Sequence, residues 1–329
     1  MRLILLLILL FSITKIQSQV EFLSGGSDGE LILSTSTGCC EKSLGFYDTY
    51  IDIAITPNGA IYGLNGNIYK IDTLTVTSDF VSTPLDQNGV YSAGAGLVAL
   101  DNDYLLSDRD DSLFLIEINS GYSINLGKIG YYCNGDLAFY NGTLYMASEI
   151  NELIKIDLDP LDYSITNVEN IGIMSSYGAV YALFTSFDGY NSSTKSLFAI
   201  DGYSVYKVNT NNANLELSCN FDSSHISYGA ASIYDFDNTT WNQQMPNVFT
   251  PNNDGINDFF AVPLSYNITS FVIINRWGNI MYEWTEGEKK WDGYDQNGNE
   301  ALEGVYYYIV EILNCNENNQ IQGFLTLIR

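Results

Sequence analysis

One strand-pair motif returns several times along this 329-residue chain, about every forty residues, and such a period is compatible with few folds. The copies Asp52-Ile-Ala-Ile-Thr-Pro-Asn-Gly-Ala-Ile-Tyr62, Leu97-Val-Ala-Leu-Asp-Asn-Asp-Tyr104 and Asp136-Leu-Ala-Phe-Tyr-Asn-Gly-Thr-Leu-Tyr145 share one pattern. Each is followed by a second apolar run that ends in an acid or amide: Ile68 to Asp72, Leu113 to Asn119 and Leu153 to Asp157. A looser copy joins Val180-Tyr-Ala-Leu183 to the run Val205 to Asn209, and Gly229 to Tyr234 opens a fifth. The alanines that anchor the copies, Ala54, Ala99, Ala138, Ala182 and Ala231, are 39 to 49 residues apart. That length holds four short antiparallel strands with their turns, one blade of a β-propeller. A small residue fits where innermost strands crowd toward an axis. A single blade cannot cover both its faces, so the repeats must close on themselves. The segment from Val20 to Ser34 is expected to complete the ring by pairing near Ile226 to Phe236. The prediction is an all-β protein whose residues 19–240 form a propeller of five blades, or six with an irregular unit. A tandem of β-sandwiches is the alternative.

No sustained 3.6-residue apolar period appears after the first twenty residues, while 25 tyrosines recur with Phe, Ile, Val and Thr in short runs. Asn58-Gly59, Asn141-Gly142 and Asn297-Gly298 supply turns of positive φ between them. The composition shifts at Asp235 to Pro246, so residues 241–245 are read as a linker and 246–329 as a second domain.

The opening run from Leu3 to Ile13 follows Arg2 and is about half the roughly 20 residues that a membrane span needs, so residues 1–18 read as a signal peptide with Ser18 at the cleavage point. The formal net charge is -26, and loss of Arg2 and Lys15 with the signal leaves 11 basic side chains against 39 acidic ones. Nucleic acid is thereby excluded as a partner. Cys39, Cys40, Cys133, Cys219 and Cys315 enter an oxidising compartment. At most two disulfides form within the chain; one from Cys39 or Cys40 to Cys133 or Cys219 is an open option.

Residues 52–72 resemble a strand pair found in secreted propeller-like repeat domains, which share a fold and no uniform activity. More specific blocks follow. Pro246-Asn-Val-Phe-Thr-Pro-Asn-Asn-Asp-Gly-Ile-Asn-Asp-Phe-Phe260 contains Asn252, Asp254, Gly255, Asn257 and Asp258. It precedes Arg276-Trp277-Gly278, Trp291-Asp292-Gly293, Gly304-Val-Tyr306 and a terminal run to Arg329. In order and spacing these resemble the gliding-motility-associated C-terminal domain, the type B sorting signal of the type IX secretion system of Bacteroidota. The resemblance implies export across the outer membrane to the cell surface or beyond, with a translocon and a PorP-like outer-membrane protein as partners. Read physically, the same residues predict an immunoglobulin-like β-sandwich of about seven strands. Trp277 and Trp291 are expected in or near its core, and Gly278, Gly293 and Gly304 at positive-φ turns or bulges.

No cofactor is expected. The oxygen-rich run through Asp254, Asn257 and Asp258 offers calcium ligands around a glycine, but it lacks the closing bidentate Glu of an EF-hand, and an Asx-type turn explains it as well. His225, the one histidine, lies beside Ser224 with no nucleophile elbow, and no zinc, phosphate or dinucleotide motif is present. Asp101, Asp103, Asp108, Asp110 and Asp111 surround Arg109 and read as solvated turns; converging, they would bind calcium or serve as the carboxylate pair of a glycosidase, or suit a lactonase-like hydrolase. The functional expectation is therefore a secreted propeller that binds a glycan or protein ligand as an adhesive module. A propeller hydrolase and a structural subunit of a surface assembly are the alternatives.

Overall fold

The apolar run at the head of each repeat has no polar face, while later runs alternate, as strands do when they lie first inside and then at the rim of a packed ring. The computed structural model describes residues 21–329 apart from 27, 36–38, 40, 74, 188–193, 222–225, 236–246, 253–256, 263–267, 285–289 and 315–316. The segments expected to be signal peptide and linker, with His225, Cys40, Cys315, Asp254 and Gly255, therefore lie outside the described residues. No helix occurs among the described residues.

The chain enters with β1 (Glu21–Gly26), β2 (Glu30–Thr35) and β3 (Lys42–Phe46). Four complete antiparallel sheets follow. They are β4 (Asp52–Ile55), β5 (Ile61–Leu64), β6 (Ile68–Asp72) and β7 (Thr77–Ser82); then β8 (Leu97–Ala99), β9 (Tyr104–Arg109), β10 (Ser112–Glu117) and β11 (Ser123–Lys128). The next two are β12 (Cys133–Tyr140), β13 (Thr143–Ser148), β14 (Glu152–Leu158) and β15 (Ile165–Ile173), and β16 (Ala182–Phe187), β17 (Lys195–Ile200), β18 (Ser204–Val208) and β19 (Leu215–Asn220). Strand β20 (Ser227–Ala231) then returns to β1 in the register Leu23 to Ala231 and Gly25 to Gly229, and becomes the innermost strand of the first sheet. The ring has five blades, closed as the repeat required.

Burial falls from axis to rim within a blade. Strand β4 is buried throughout, whereas β7 at the rim of the same blade keeps one buried position in six. Five hydrophobic clusters occupy the five junctions between neighbouring blades. At the junction of the fifth and first blades Phe22 stacks on Phe184 at 4.0 Å, and Phe184 on Phe198 at 5.3 Å. The anchor alanines are all buried in these junctions. At Ala138 no accessible surface is left, so Ala138→Leu overpacks the junction and lowers unfolding free energy by about 1–3 kcal/mol in urea titrations. The closing junction also carries a covalent bond, Cys39 to Cys219, between the β2–β3 connection and the outermost strand of the fifth blade. Cys133 keeps a buried thiol.

The C-terminal strands are β21 (Val248–Phe249), β22 (Phe260–Ala261), β23 (Ile268–Ile274), β24 (Ile280–Glu283), β25 (Lys290–Trp291), β26 (Gly304–Asn314) and β27 (Glu317–Leu327). They form a five-stranded sheet in the order β21-β27-β26-β23-β24 and a two-stranded sheet β22-β25. Alternation along β26 sends Tyr306, Tyr308 and Val310 into a core with Phe249, Phe260, Phe271 and Trp291, and leaves Val305 and Tyr307 outside. Trp291 is fully buried and its indole N–H donates to the Tyr294 carbonyl at 2.7 Å. Trp277 is not a core residue: it is 73% exposed. The Asn275 side chain accepts from the amides of Trp277 and Asn279, which fixes a tight β23–β24 turn, and a side chain at the tip of that turn points to solvent.

Candidate ligand-binding mouth

Two carboxyl groups at the propeller axis organise the site. Asp52 opens β4, and its oxygens accept from the amides of Ile53 at 2.8 Å and Leu97 of β8 at 2.6 Å. Asp136 in β12 accepts from Leu137 at 2.6 Å, from Leu183 of β16 at 3.0 Å and from Ala230 of β20 at 3.2 Å. The two carboxyls also bond to each other. Between them they touch all five innermost strands. Gly229 leaves the room for Asp52, since a β-carbon there would collide with its carboxyl oxygen. Burial, reinforced by the neighbouring carboxyl, pushes Asp52 well above the usual carboxylate range, and burial does the same to Asp136. Both shifts favour the protonated carboxyl over the carboxylate at the axis.

Two further buried acids brace the ring. Asp108 accepts from the Gly96 amide at 2.6 Å, and burial raises it to about 6. Asp235 accepts from Thr185 at 2.5 Å and Ser232 at 2.6 Å and ties the segment after β20 to β16; burial raises it as well.

Above this hub opens a cavity of about 410 Å³. Ile51 and Gly135, which line it, directly precede Asp52 and Asp136, so the cavity opens next to the carboxyl pair, which is itself buried and not part of the lining. Every blade contributes to the wall. The second supplies Thr49, Tyr50 and Asn65, the third Ala95, the fourth Asn134, the fifth Tyr181, and the returning strand of the first Tyr228. Antiparallel alternation explains the grouping: the start of each inner strand and the turn between second and third strands share one end of the blade. At Gly135 a β-carbon would collide with the Tyr181 carbonyl, so glycine lets the fourth blade close on the fifth. The rings of Tyr181 and Tyr228 meet edge to face at 5.3 Å. Around the rim Tyr132, Ile150, Tyr177 and Tyr203 are exposed.

The acidic run around Arg109 does not converge. Asp101 and Asp103 sit in the β8–β9 turn, whereas Asp110 and Asp111 sit in the β9–β10 turn at the opposite end of β9. Asp111 pairs with Lys128 at 2.6 Å, and Asp108 points into the blade. Among the described residues no group of three acids, cysteines or histidines is placed to hold a metal. In the candidate calcium run, Asp258 accepts from the Asn252 amide at 3.1 Å and the Asn257 carbonyl accepts from Thr250 at 2.8 Å.

The remaining C-terminal blocks hold turns and ends together. Gly278, Gly293 and Gly304 have φ of 83°, 84° and 142°. Asp292 accepts from the Tyr294 amide, and the Tyr306 hydroxyl donates to Leu302 at 2.6 Å. The Arg329 guanidinium donates to the carbonyls of Ala301 and Gly293, while that of Arg276 lies 5.2 Å above the Trp277 ring. Residues 243–327 match the family model described as the CHU_C Type IX secretion signal domain. The chain carries a type IX secretion signal. The signal domain directs export across the outer membrane to the cell surface or extracellular space, and its partners include the secretion system.

No curated protein matches the sequence. Solved structures resemble it at low identity. A nidogen/laminin complex is 11% identical, with a TM-score of 0.43 over 66% of this chain and 99% of that one. PorZ, a surface component of the type IX secretion system of Porphyromonas gingivalis, is 14% identical, with a TM-score of 0.31 over 94% of this chain and 51% of PorZ. A gluconolactonase from Xanthomonas campestris is 12% identical, with a TM-score of 0.41 over 64% of this chain and 79% of the enzyme. At such scores and identities these likenesses decide nothing about what the chain ahead of the signal domain binds or catalyses.

The mouth was not legible as a site in the sequence. Its tyrosines and asparagines are spread from residue 50 to residue 228 and belong to no local motif. The one signal available was the Asp-x-Ala step shared by the copies at Asp52 and Asp136.

Proposed function

We propose that the propeller is a recognition module displayed at the cell surface, which captures its ligand at the axial mouth and does not hydrolyse it. The observation that carries this reading is the composition of the mouth: all five blades contribute, and the functional groups among what they contribute are phenol, amide and hydroxyl, beside the aliphatic Ile51 and Ala95. The nearest carboxyls, Asp52 and Asp136, are already engaged by five backbone amides and by each other, so they hold strands together and are not poised for acid and base work. The reading includes no metal. It takes residues 19–240 as the binding unit, 246–329 as the address, and a PorP-like protein as the outer-membrane partner of that address.

The test is capture by the full chain from an array of extracellular polysaccharides and surface proteins. The double variant Tyr181→Ala/Tyr228→Ala is expected to lose about tenfold or more in capture, with no product released from lactone or glycoside substrates. Turnover of such a substrate, or capture indifferent to both tyrosines, would overturn the reading.

A further inference from the structure

The mouth also limits the chemistry of what it can hold, given the reading that ligand seats there. The chain has 39 acidic side chains and 13 basic ones, yet none of the residues lining the cavity is charged. The phenols of Tyr181 and Tyr228, the Thr49 hydroxyl and the Asn65 side-chain amide make no hydrogen bond to another group among the described residues, so their capacity is directed at solvent or ligand. The two phenol rings stand edge to face, which presents one flat π-surface beside polar tips.

We infer that the mouth takes the terminal unit of a neutral saccharide. A sugar ring has an apolar C–H face that packs on a phenol and a belt of hydroxyls that bonds to amide, hydroxyl and phenol groups; the lining supplies both. An acidic polymer would enter the field of a net charge of -26 with no cation in the lining to offset it. A basic peptide would be drawn by that field and find no carboxylate in the lining to pair with. The volume, about 410 Å³, lies low in the roughly 300–1,000 Å³ range of small-molecule sites. Because Asp52 and Asp136 tie the inner strands to one another at the axis, a chain cannot thread through the ring past them and seats by its end.

Affinity electrophoresis of the full chain in gels cast with neutral polysaccharides or with acidic ones, followed by titration with neutral oligosaccharides, tests this. Retardation is expected in neutral gels alone, unchanged by added salt because no ion pair forms. Tyr228→Ala and Tyr181→Ala should each weaken titrated binding about tenfold, with circular dichroism unchanged, while Tyr228→Phe retains most of it. Failure to be retarded in any neutral gel overturns the inference. Capture of an acidic polymer or a protein that still requires Tyr181 and Tyr228 overturns it and leaves the mouth as the site. Neutral saccharide bound equally by wild type and both alanine variants removes the mouth itself, and with it both readings.

Discussion

Exchange of Cys39 and Cys219 for alanine lowers the unfolding free energy of the propeller by about 4–5 kcal/mol, in the chain-entropy account of a crosslink. The bond spans 180 residues of sequence, so the unfolded chain that lacks it gains the conformations of a very long loop. For a unit of this size the loss corresponds to a fall in Tm of roughly 8–20 °C. The location makes the effect concentrate on ring closure. The junction of the first and fifth blades is the one place where sequence-distant strands must meet, and Cys39 to Cys219 spans it beside the Phe22–Phe184 stack. Calorimetry of oxidised, reduced and double-variant protein checks this: reduction should bring the wild type down to the variant, and the variant should ignore the reductant. Equal melting of all three would show that β1–β20 pairing alone closes the ring.

Replacement of Asp136 by alanine is the second large expected effect, a loss of about 3–5 kcal/mol, because the amides of Leu137, Leu183 and Ala230 are left buried without their acceptor. A distinctive pH signature accompanies it. The folded pair holds a proton at pH values where free Asp, with a pKa near 3.9, has lost it. A group raised in the folded state is stabilising below its unfolded pKa and loses that contribution as pH rises toward the folded value. The wild type should therefore lose about 1.4 kcal/mol of stability per pH unit for each retained proton, starting near pH 4. Asp108, raised to about 6, adds to the slope between roughly pH 4 and pH 6. Urea titrations from pH 5 to pH 8 should show stability falling with pH in the wild type and a shallower fall in Asp136→Ala. A parallel slope in the two proteins would mean that the axial pair carries no shared proton.

Much of the architecture was written locally. The step from Asp52-Ile-Ala to Ile68–Asp72, repeated at Asp136 and Leu153, fixed strand length, turn position and the buried small residue, because each depends on neighbours a few residues away. The blocks around Asn252, Trp291 and Gly304 likewise carried the secretion signal in their order and spacing. Trp277 shows the limit of that kind of reading. Composition makes a tryptophan a core candidate, and only the Asn275 turn decides that it faces solvent.

The sequence by itself determined an all-β chain of repeated strand units that must close, ahead of an export signal. Tertiary structure alone decided that the ring has five blades, that Cys39 pairs with Cys219, that Asp52 and Asp136 meet, and that Tyr181 and Tyr228 come edge to face in one cavity. The physical reason is the same in each case. Strand period and turn chemistry are short-range properties, whereas the axis of a propeller is made by residues that come together only when the last strand pairs with the first.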